Sequence, residues 1–288
     1  MPVMERYIDL HTHSNYSDGT DSPEELICKA RDSGLCAVVL TDHDTVAGLD
    51  EIAQYGREYG IETVNGIELS SQMRDVEVHI LGYCIEYKKG AMDNYLKRQE
   101  ESRREKTGMI LAKLRDLGFD ISEEDFSGSQ GIITRGSIAG VMHKKGFVRY
   151  KKEAFEKYIG EGRPAFADRD RIGVREAVEL ILTCGGIPVI AHPYLYSIDD
   201  QDFEYEVGRL VSIGLRGIEV LYPEGHDDRR EAFYRYLAEK HSLLITGGSD
   251  YHGDNKTVKL GYAFNDERIP YELLEALMLS ANHNGVVG

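Results

Sequence analysis

The sequence predicts an α/β fold in which helices alternate with parallel strands, interrupted once by a helical segment. Continuous apolar runs such as Ala37–Leu40 are typical of strands that are buried on both faces of a parallel sheet. Helical patterns follow such runs in the first third of the chain and again after Arg163. This alternation of strand and helix indicates right-handed βαβ units.

The first third of the chain carries clear start and stop signals. A short strand is predicted over residues 7–10, and Ser22, Pro23 and the two glutamates after them are the cap, proline and acidic residues that begin a helix, which Gly34 ends. The remaining predicted elements here are strands over residues 37–40, 61–67 and 76–85 and a helix over residues 46–59.

Residues 88–163 lack strand-like runs of useful length, and we interpret them as a helical insertion. A long helix is predicted over residues 94–117, and a shorter one follows Ile133-Thr134-Arg135-Gly136-Ser137. The alternation then returns, with predicted helices over residues 174–183, 203–213 and 228–240, strands over residues 187–191, 217–221 and 243–246, and a terminal helix from Pro270.

Composition narrows the function classes. The 288-residue chain has 34 Lys and Arg residues against 50 Asp and Glu residues, a formal net charge of −16. Binding to duplex nucleic acid depends on basic surface, so no duplex DNA partner is expected, whereas a small or single-stranded phosphate ligand is compatible with local positive charge. No membrane-spanning run or signal-peptide pattern is present, so no membrane partner is expected. A reducing, cytoplasmic location is favoured because the cysteines are widely spaced, at Cys28, Cys36, Cys84 and Cys184.

Histidines mark the chemistry of the chain. Six of the ten stand at the ends of predicted strands or among polar residues, in the blocks DLHTHSNYSDGT, TDHDT, VEVHILGY, IAHPY and GSDYHG; they are His11, His13, His43, His79, His192 and His252. Within HTH the two imidazoles lie on the same side of an extended chain, so both can reach one metal ion. The same holds for Asp250 and His252.

Carboxylates accompany these imidazoles at Asp18, Glu68 and Asp250. A donor set of nitrogen and oxygen suits zinc, manganese or iron, and the lack of cysteine ligands favours a catalytic over a structural site. In a βα barrel, the carboxyl ends of the strands converge on the active site. Together these blocks therefore predict one metal centre at that end of a barrel.

The blocks DLHTHSNYSDGT, TDHDT, GIE, VHILGY, AHP and GSDYHG, in this order and spacing, resemble the PHP superfamily, named for polymerase and histidinol phosphatase. The resemblance covers the chain from Tyr7 to about Gly261. It implies a distorted (β/α)7 barrel with two or three divalent metal ions (Mn, Fe or Zn). The barrel would be formed by residues 1–87 and 164–288, with the helical insertion domain at residues 88–163.

The insertion is similar to that of the branch acting on nucleoside 3′,5′-bisphosphates and on the 5′ ends of short RNA. ITRGSIAG resembles a segment that usually reads TRPHIA in this branch, and FEKYIGEGRPAF resembles its F-x-x-Y-x-x-x-G-x-P-A block. Gly136-Ser137 stands where Pro-His is usual, so the fine shape of the substrate pocket is not implied by the resemblance.

The resemblance implies three metal sites. His11, His13, Glu68 and Asp250 would hold the first metal. Glu68, His79 and His192 would hold the second, with Glu68 bridging, and Asp18, His43 and His252 the third. Three dications against three carboxylates would leave a local excess of about +3, which attracts a phosphate dianion. Two neighbouring metals can hold a hydroxide nucleophile and neutralise phosphate oxygens. The residues expected to act in catalysis are Asp18, His43, Glu68, His192 and Asp250.

Four further residues are predicted to contact substrate. Thr134 and Arg135 lie at the start of an insertion helix, where a guanidinium and the first amide groups can bind phosphate. Arg163 lies in a loop that returns to the barrel, and His226 lies near a strand end, although a helix start is an equal interpretation for His226. Asp42 or Asp44 is expected either to orient His43 or to cap the following helix.

The predicted function is hydrolysis of a phosphomonoester, foremost the 3′-phosphate of a nucleoside 3′,5′-bisphosphate, with a small phosphorylated nucleotide as the partner. The main alternative is a 5′-to-3′ exoribonuclease acting on short single-stranded RNA with the same metals. A histidinol-phosphate-type phosphatase is a weaker alternative, because the insertion is suited to a larger ligand. A non-catalytic metal-stabilised module is the last alternative.

Overall fold

A computed structural model describes residues 5–88, 90–126, 133–167 and 171–283 of the chain. Within these ranges, no helix is both long enough and apolar enough to cross a membrane. The chain divides into two compact units, one formed by Met1–Asp93 and Arg171–Gly288 and the other by Asn94–Asp170. The domain boundaries at residues 88 and 163 stay a prediction.

Eight strands form the sheet of the first unit. They are β1 (Ile8–Thr12), β2 (Ala37–Leu40), β3 (Glu62–Met73), β4 (Val76–Tyr83), β5 (Ile172–Gly173), β6 (Ile187–Ile190), β7 (Gly217–Leu221) and β8 (Leu244–Gly247). Their order is β1-β2-β3-β4-β6-β7-β8, and the short β5 pairs with β3. Just beyond β8, Tyr251 pairs with Thr12, which brings the last strand of the sheet against the first. The fold is thus the α/β barrel that the sequence predicts, in a distorted form.

Nine α-helices accompany the strands in the described residues. They are α1 (Pro23–Asp32), α2 (Leu49–Tyr59), α3 (Gly90–Asp116), α4 (Arg135–Lys144), α5 (Lys151–Ala154), α6 (Val174–Thr183), α7 (Asp200–Ser212), α8 (Asp228–His241) and α9 (Glu272–His283). Helix α1 has the predicted start, because Ser22 and Glu25 cap each other's backbone amides. Helix α7 begins earlier than predicted, because Asp199 accepts the Asp202 amide as a cap.

One part of the sheet departs from the predicted parallel arrangement. Strands β3 and β4 form an antiparallel hairpin, and β4 also runs antiparallel to β6. The strand predicted over residues 61–67 is longer in the structure, where β3 continues to Met73. The hairpin turn is formed by Arg74 and Asp75, and Arg74 adopts a positive φ of 55°. Gly and Asn are the usual signals for such turns, and Arg74-Asp75 contains neither, so this turn was not predicted.

Strand β1 places apolar side chains and predicted metal ligands on opposite faces. Ile8 and Leu10 of β1 lie fully buried in a cluster with Val39, Leu81 and Val189 from the neighbouring strands. Residues alternate between the two faces of a strand, so the residues between and beyond these two on β1 face the other way. That second face of β1 carries His11, and the same alternation gives His13, just after the strand, the same direction.

The second unit has its own apolar core and, in its described residues, helices without strands. Ile110 and Leu114 of α3 pack with Ile138 and Met142 of α4. Thr134 caps α4 by accepting the Ser137 amide. This unit therefore has the helical character that the sequence predicts for the insertion.

Candidate metal centre

The predicted ligands lie in strands or in the loops that follow strands. His11 lies in β1 and His13 directly follows it, while His43 follows β2 and pairs with Glu68 of β3 as an isolated bridge. His79 lies in β4, His192 follows β6, and Asp250 and His252 follow β8. Because β4 runs in the opposite direction, His79 reaches the same end of the barrel from the first half of its strand. All nine predicted metal ligands belong to the barrel unit.

The backbone is strained where two of these residues leave their strands. His192 has a φ of 24° and Asp250 a φ of 54°, values that non-glycine residues seldom adopt. Gly248, two residues before Asp250, packs so closely on His11 that a side chain there would overlap the His11 backbone. Such strain is typical of functional sites, because only the surrounding structure can maintain it.

Four ligand atoms of the first predicted site converge. His11 Nε2 lies 3.3 Å from Glu68 Oε2 and 3.6 Å from Asp250 Oδ1, and His13 Nε2 lies 3.2 Å from each of the same two oxygens. Ligands about 2.1 Å from a tetrahedral metal ion are separated by about 3.4 Å along each edge. The four atoms are therefore spaced as ligands of one small cation.

Glu68 joins this group to a second one. Its Oε1 atom lies 2.9 Å from His79 Nδ1 and 2.9 Å from His192 Nε2, while Oε2 faces the first group. The two carboxylate oxygens thus point to different sets of imidazoles. If each set of imidazoles held a metal ion, Glu68 would contribute one oxygen to each ion.

The third group gathers around Asp18. His252 Nε2 lies 3.2 Å from Asp18 Oδ1, and His43 Nε2 lies 3.9 Å from Asp18 Oδ2. His13 also approaches this group, with Nδ1 3.8 Å from Asp18 Oδ1. A neutral imidazole has one free lone pair, and the shorter contacts of His13 Nε2 favour the first group.

The donor set fits divalent cations. His11 Nε2, His13 Nε2 and Glu68 Oε2 are fully buried, and none of these three atoms makes a hydrogen bond. Buried polar atoms without partners are costly, and here they face one another. A cation bound among them would remove that cost.

Nearby carboxylates favour the protonated forms of His13 and His79. Burial opposes the charged form of His13, yet Asp250 and Glu68 raise its pKa to about 9. Burial likewise opposes charge on His79, and Glu68 and Glu77 raise its pKa to about 10. Any cation that binds here must therefore displace protons.

The cluster has a buried floor, formed by His11, His13 and Glu68, and a partly exposed rim, formed by Asp18 and His43. The side chains of His11, His13 and Glu68 have no solvent exposure, whereas those of Asp18 and His43 are 34% and 22% exposed. Burial lowers the pKa of His43 to about 3 despite the nearby Glu68 and Asp18, so its imidazole is neutral and able to bind a metal ion. Asp18 and His43 are therefore partly open to solvent, unlike His11, His13 and Glu68.

Glu219 is a site residue that the sequence analysis missed. It is fully buried on β7, with Oε1 3.0 Å from His11 Nδ1, and its Oε2 accepts the His192 amide at 2.7 Å. Glu219 thereby holds the proton of His11 on Nδ1 and directs Nε2 toward the cluster. It also lowers the expected charge excess of three dications from about +3 to about +2. A glutamate within the apolar strand GIEVL was the available signal.

The acids beside His43 organise the surrounding loops. Asp42 accepts hydrogen bonds from the Ser14 amide and from the hydroxyl groups of Ser14 and Ser17, next to Asp18. Asp44 accepts the Ser70 amide from β3. The alternative of helix capping does not hold, because the cap residue of α2 is Gly48 and has no side-chain cap.

The predicted substrate contacts Thr134, Arg135 and Arg163 lie in the helical unit. The Thr134 hydroxyl accepts the Ser137 amide, the Arg135 guanidinium lies 5.6 Å from the centre of the Phe166 ring, and Arg163 is exposed. Their contacts with substrate stay a prediction.

His226, in the barrel unit, is held by its own neighbours. Its Nε2 lies 2.7 Å from Glu231 Oε2, and its ring stacks on Phe264 with 3.5 Å between ring centres. The side chain is 4% exposed. These contacts explain its position without a ligand, and substrate binding by His226 stays a prediction.

Known proteins resemble this chain over most of its length. A 5′-3′ exoribonuclease from Haemophilus influenzae is 31% identical, covering 90% of this chain and 94% of that protein. A 3′,5′-nucleoside bisphosphate phosphatase from Chromobacterium violaceum is 32% identical (85% and 87%), and a phosphoribosyl 1,2-cyclic phosphate 1,2-diphosphodiesterase from Eggerthella lenta is 30% identical (85% and 94%). A crystal structure from Bifidobacterium adolescentis, described as a metal-dependent phosphoesterase, superposes with a TM-score of 0.85 at 25% identity and covers 97% of each chain.

The chain has a distorted α/β barrel with imidazoles and carboxylates clustered at one end. With its similarity to these proteins, this places it in the class of metal-dependent phosphoesterases. The sequence pattern of the PHP domain matches residues 9–173. The chain belongs to the PHP family.

Proposed function

We propose that this protein hydrolyses phosphomonoesters, with the 3′-phosphate of a nucleoside 3′,5′-bisphosphate as its substrate and two or three divalent cations (Mn, Fe or Zn) as cofactors. The observation that carries the proposal is the position of Glu68, whose two oxygens face different groups of imidazoles. Paired metal sites joined by one carboxylate suit the in-line displacement of a phosphate ester.

Three groups of residues would hold the cations. His11, His13, Glu68 and Asp250 form the first, Glu68, His79 and His192 the second, and Asp18, His43 and His252 the third. When bound, the cations would supply Lewis acidity toward phosphoryl oxygens and lower the pKa of the attacking water.

The protein's own residues prepare the site. Glu219 fixes the tautomer of His11, and the Asp250 carbonyl lies 2.8 Å from Nδ1 of His252, so each ring directs Nε2 to the cluster. The buried floor keeps these rings from bulk water, whereas the partly exposed Asp18 and His43 meet the incoming phosphate at the rim. The reacting groups are thus oriented before the substrate binds.

The choice of substrate rests on chemistry that the relatives share. Three relatives with identities between 30% and 32% are named for three different reactions. Sequence identity therefore does not distinguish among the three reactions, but each named substrate is a phosphate ester or a phosphorylated ribose. A bisphosphate offers a second phosphate, and Arg135 at the start of α4 is the candidate residue to bind it.

A second candidate is 5′-to-3′ exonuclease activity on short RNA. The Haemophilus influenzae relative, which is named for this activity and is similar over 90% of the present chain, favours it. The same metal ligands would serve both reactions, because the nucleophile attacks phosphorus in a phosphodiester as it does in a phosphomonoester.

A phosphate-release panel tests the proposal. Chelator-stripped protein is reloaded with Mn, Fe or Zn and given a nucleoside 3′,5′-bisphosphate, the matching monophosphate, 5′-phosphorylated RNA trimers, a ribose cyclic phosphate and histidinol phosphate. We expect the highest kcat/KM on the bisphosphate, because its second phosphate contributes binding energy that orients the first.

Each other outcome has a distinct meaning. Equal efficiency on the bisphosphate and the monophosphate would contradict a bisphosphate-specific site. A higher kcat/KM on the RNA would support the exonuclease. Failure to turn over any substrate by protein that holds its metals would indicate a non-catalytic module.

A further inference from the structure

A lysine reaches the metal-ligand cluster from the loop after β8. The 3-10 turn Gly253–Asn255 follows His252, and Lys256 comes directly after it. The Lys256 side chain folds back so that Nζ lies 2.5 Å from Asp250 Oδ2. Its side chain is 29% exposed, while that of Asp250 is 5% exposed. Lys256 thus stands between a buried ligand carboxylate and solvent.

The turn that carries Lys256 is fixed to the loop that carries Asp18. The Asp254 amide donates to the Thr20 hydroxyl at 2.9 Å, and the Asn255 side-chain amide donates to the Asp18 carbonyl at 2.8 Å. Gly253 has a φ of +62° and no room for a Cβ beside Thr20. The backbone at Lys256 is therefore held in place, and the flexible part is the lysine side chain.

Asp250 does not depend on Lys256 for a hydrogen-bond partner. The hydroxyl of the fully buried Tyr222 donates to Asp250 Oδ2 at 2.9 Å, and Oδ1 faces His11 and His13. An ammonium has three donor hydrogens, of which this contact uses one. The remaining donors can bind an anion at the exposed side of the cluster.

A phosphate needs positive charge at this place. Asp18, Glu68, Asp250 and Glu219 bring four carboxylates into or against the cluster, in a chain of net charge −16. A lysine ammonium is a compact charge that commonly binds phosphate oxygens. An incoming dianion attracts the ammonium more strongly than a single carboxylate that Tyr222 already satisfies.

We infer that Lys256 is a substrate-binding residue that contacts a non-bridging oxygen of the phosphate being hydrolysed. This inference rests on the proposed phosphomonoesterase function. It assigns to the barrel unit a phosphate contact of its own, independent of Arg135 in the helical unit. Because every phosphate ester presents such oxygens, this contact does not depend on the rest of the substrate.

The test measures binding of inorganic phosphate, the reaction product, to metal-loaded protein by calorimetry. Lys256→Met keeps the apolar stem and removes the charge, and it should weaken phosphate binding roughly 10- to 150-fold, as loss of a charge-assisted hydrogen bond does. Metal content, measured by mass spectrometry, should equal that of the parent. Lys256→Arg should restore part of the affinity.

Lys259→Met is the matched control, because it removes the same charge three residues away, from a 63% exposed lysine paired with Asp266. It should leave phosphate affinity unchanged. Unchanged phosphate affinity in a metal-replete Lys256→Met protein would overturn the inference, as would a loss that merely follows lost metal. Activity assays separate this result from the proposed function: a parent that binds phosphate but cleaves no phosphomonoester contradicts the function, whatever the lysine variants show.

Discussion

Replacement of Glu219 by glutamine tests whether the metal ligands are held by the carboxylate beneath them. Glu219 accepts from two groups at once, since Oε1 lies 3.0 Å and Oε2 3.3 Å from His11 Nδ1, and Oε2 also accepts the His192 amide at 2.7 Å. Glutamine has one oxygen for these two donors. In either orientation of the glutamine amide, its NH2 group faces an N–H group and cannot accept a hydrogen bond from it.

The size of the effect follows from that mismatch. If the amide NH2 faces His11, the ring must carry its proton on Nε2 and can no longer offer that atom to a metal ion. If it faces His192, a buried backbone donor loses its partner, at a cost of about 1–3 kcal/mol. Loss of such an orienting partner lowers metal affinity about 10- to 100-fold.

The assay is a competition titration of chelator-stripped protein with Mn²⁺ or Zn²⁺, together with the Tm of the metal-free form. Glu231→Gln is the control, because Glu231 pairs with the Nε2 atom of His226 in the same barrel unit and contacts no predicted ligand. Equal metal affinity in Glu219→Gln, Glu231→Gln and parent, with folding intact, would refute the orienting role of Glu219.

Three further predictions use other features of the site. Asp250→Asn or His13→Ala should lower turnover at least about 100-fold with loss of bound metal, since each removes a ligand; near-normal activity would contradict these ligands. Loading metal at pH 7.5 should release protons from His13 and His79, whose pKa values are about 9 and 10, and from His11, whose pKa is held well above its usual range by Glu219, Glu68 and Asp250 although burial opposes its charge. Metal affinity should therefore rise with pH toward 9 in calorimetry, and a pH-independent affinity would contradict this. Arg135→Ala should lower kcat/KM on a bisphosphate about 10- to 150-fold without changing metal content, and equal kinetics would return Arg135 to a surface role.

The sequence was informative where local patterns carry the structure. The apolar run Ala37–Leu40 and the helix Val174–Thr183 have their predicted bounds, because continuous burial and helical periodicity were both unambiguous. The predicted ligands came from polar blocks at strand ends, and the structure brings them together in groups whose atoms lie within 4.8 Å of one another. Their roles as metal ligands stay a prediction.

Residues whose importance shows only in their tertiary contacts were harder to find. Glu219 lies within an apolar strand, and Lys256 lies in a polar turn where a lysine is ordinary. Glu219 contacts His11, which lies 208 positions away along the chain. Lys256 contacts Asp250, which lies six positions away. No periodicity or spacing rule reports such contacts, because they depend on how the barrel closes.

The antiparallel hairpin explains how a residue inside a strand joins ligands at strand ends. In a parallel barrel, residues near the start of a strand lie at the end opposite the active site. Because β4 runs against its neighbours, Ser70 of β3 pairs with His79, and the early part of β4 lies beside the late part of β3. Glu68 and His79 are thereby neighbours on adjacent strands, with 2.9 Å between Oε1 and Nδ1. The reversal of a single strand supplies the second group with an imidazole that a fully parallel sheet would have placed at the opposite end of the barrel.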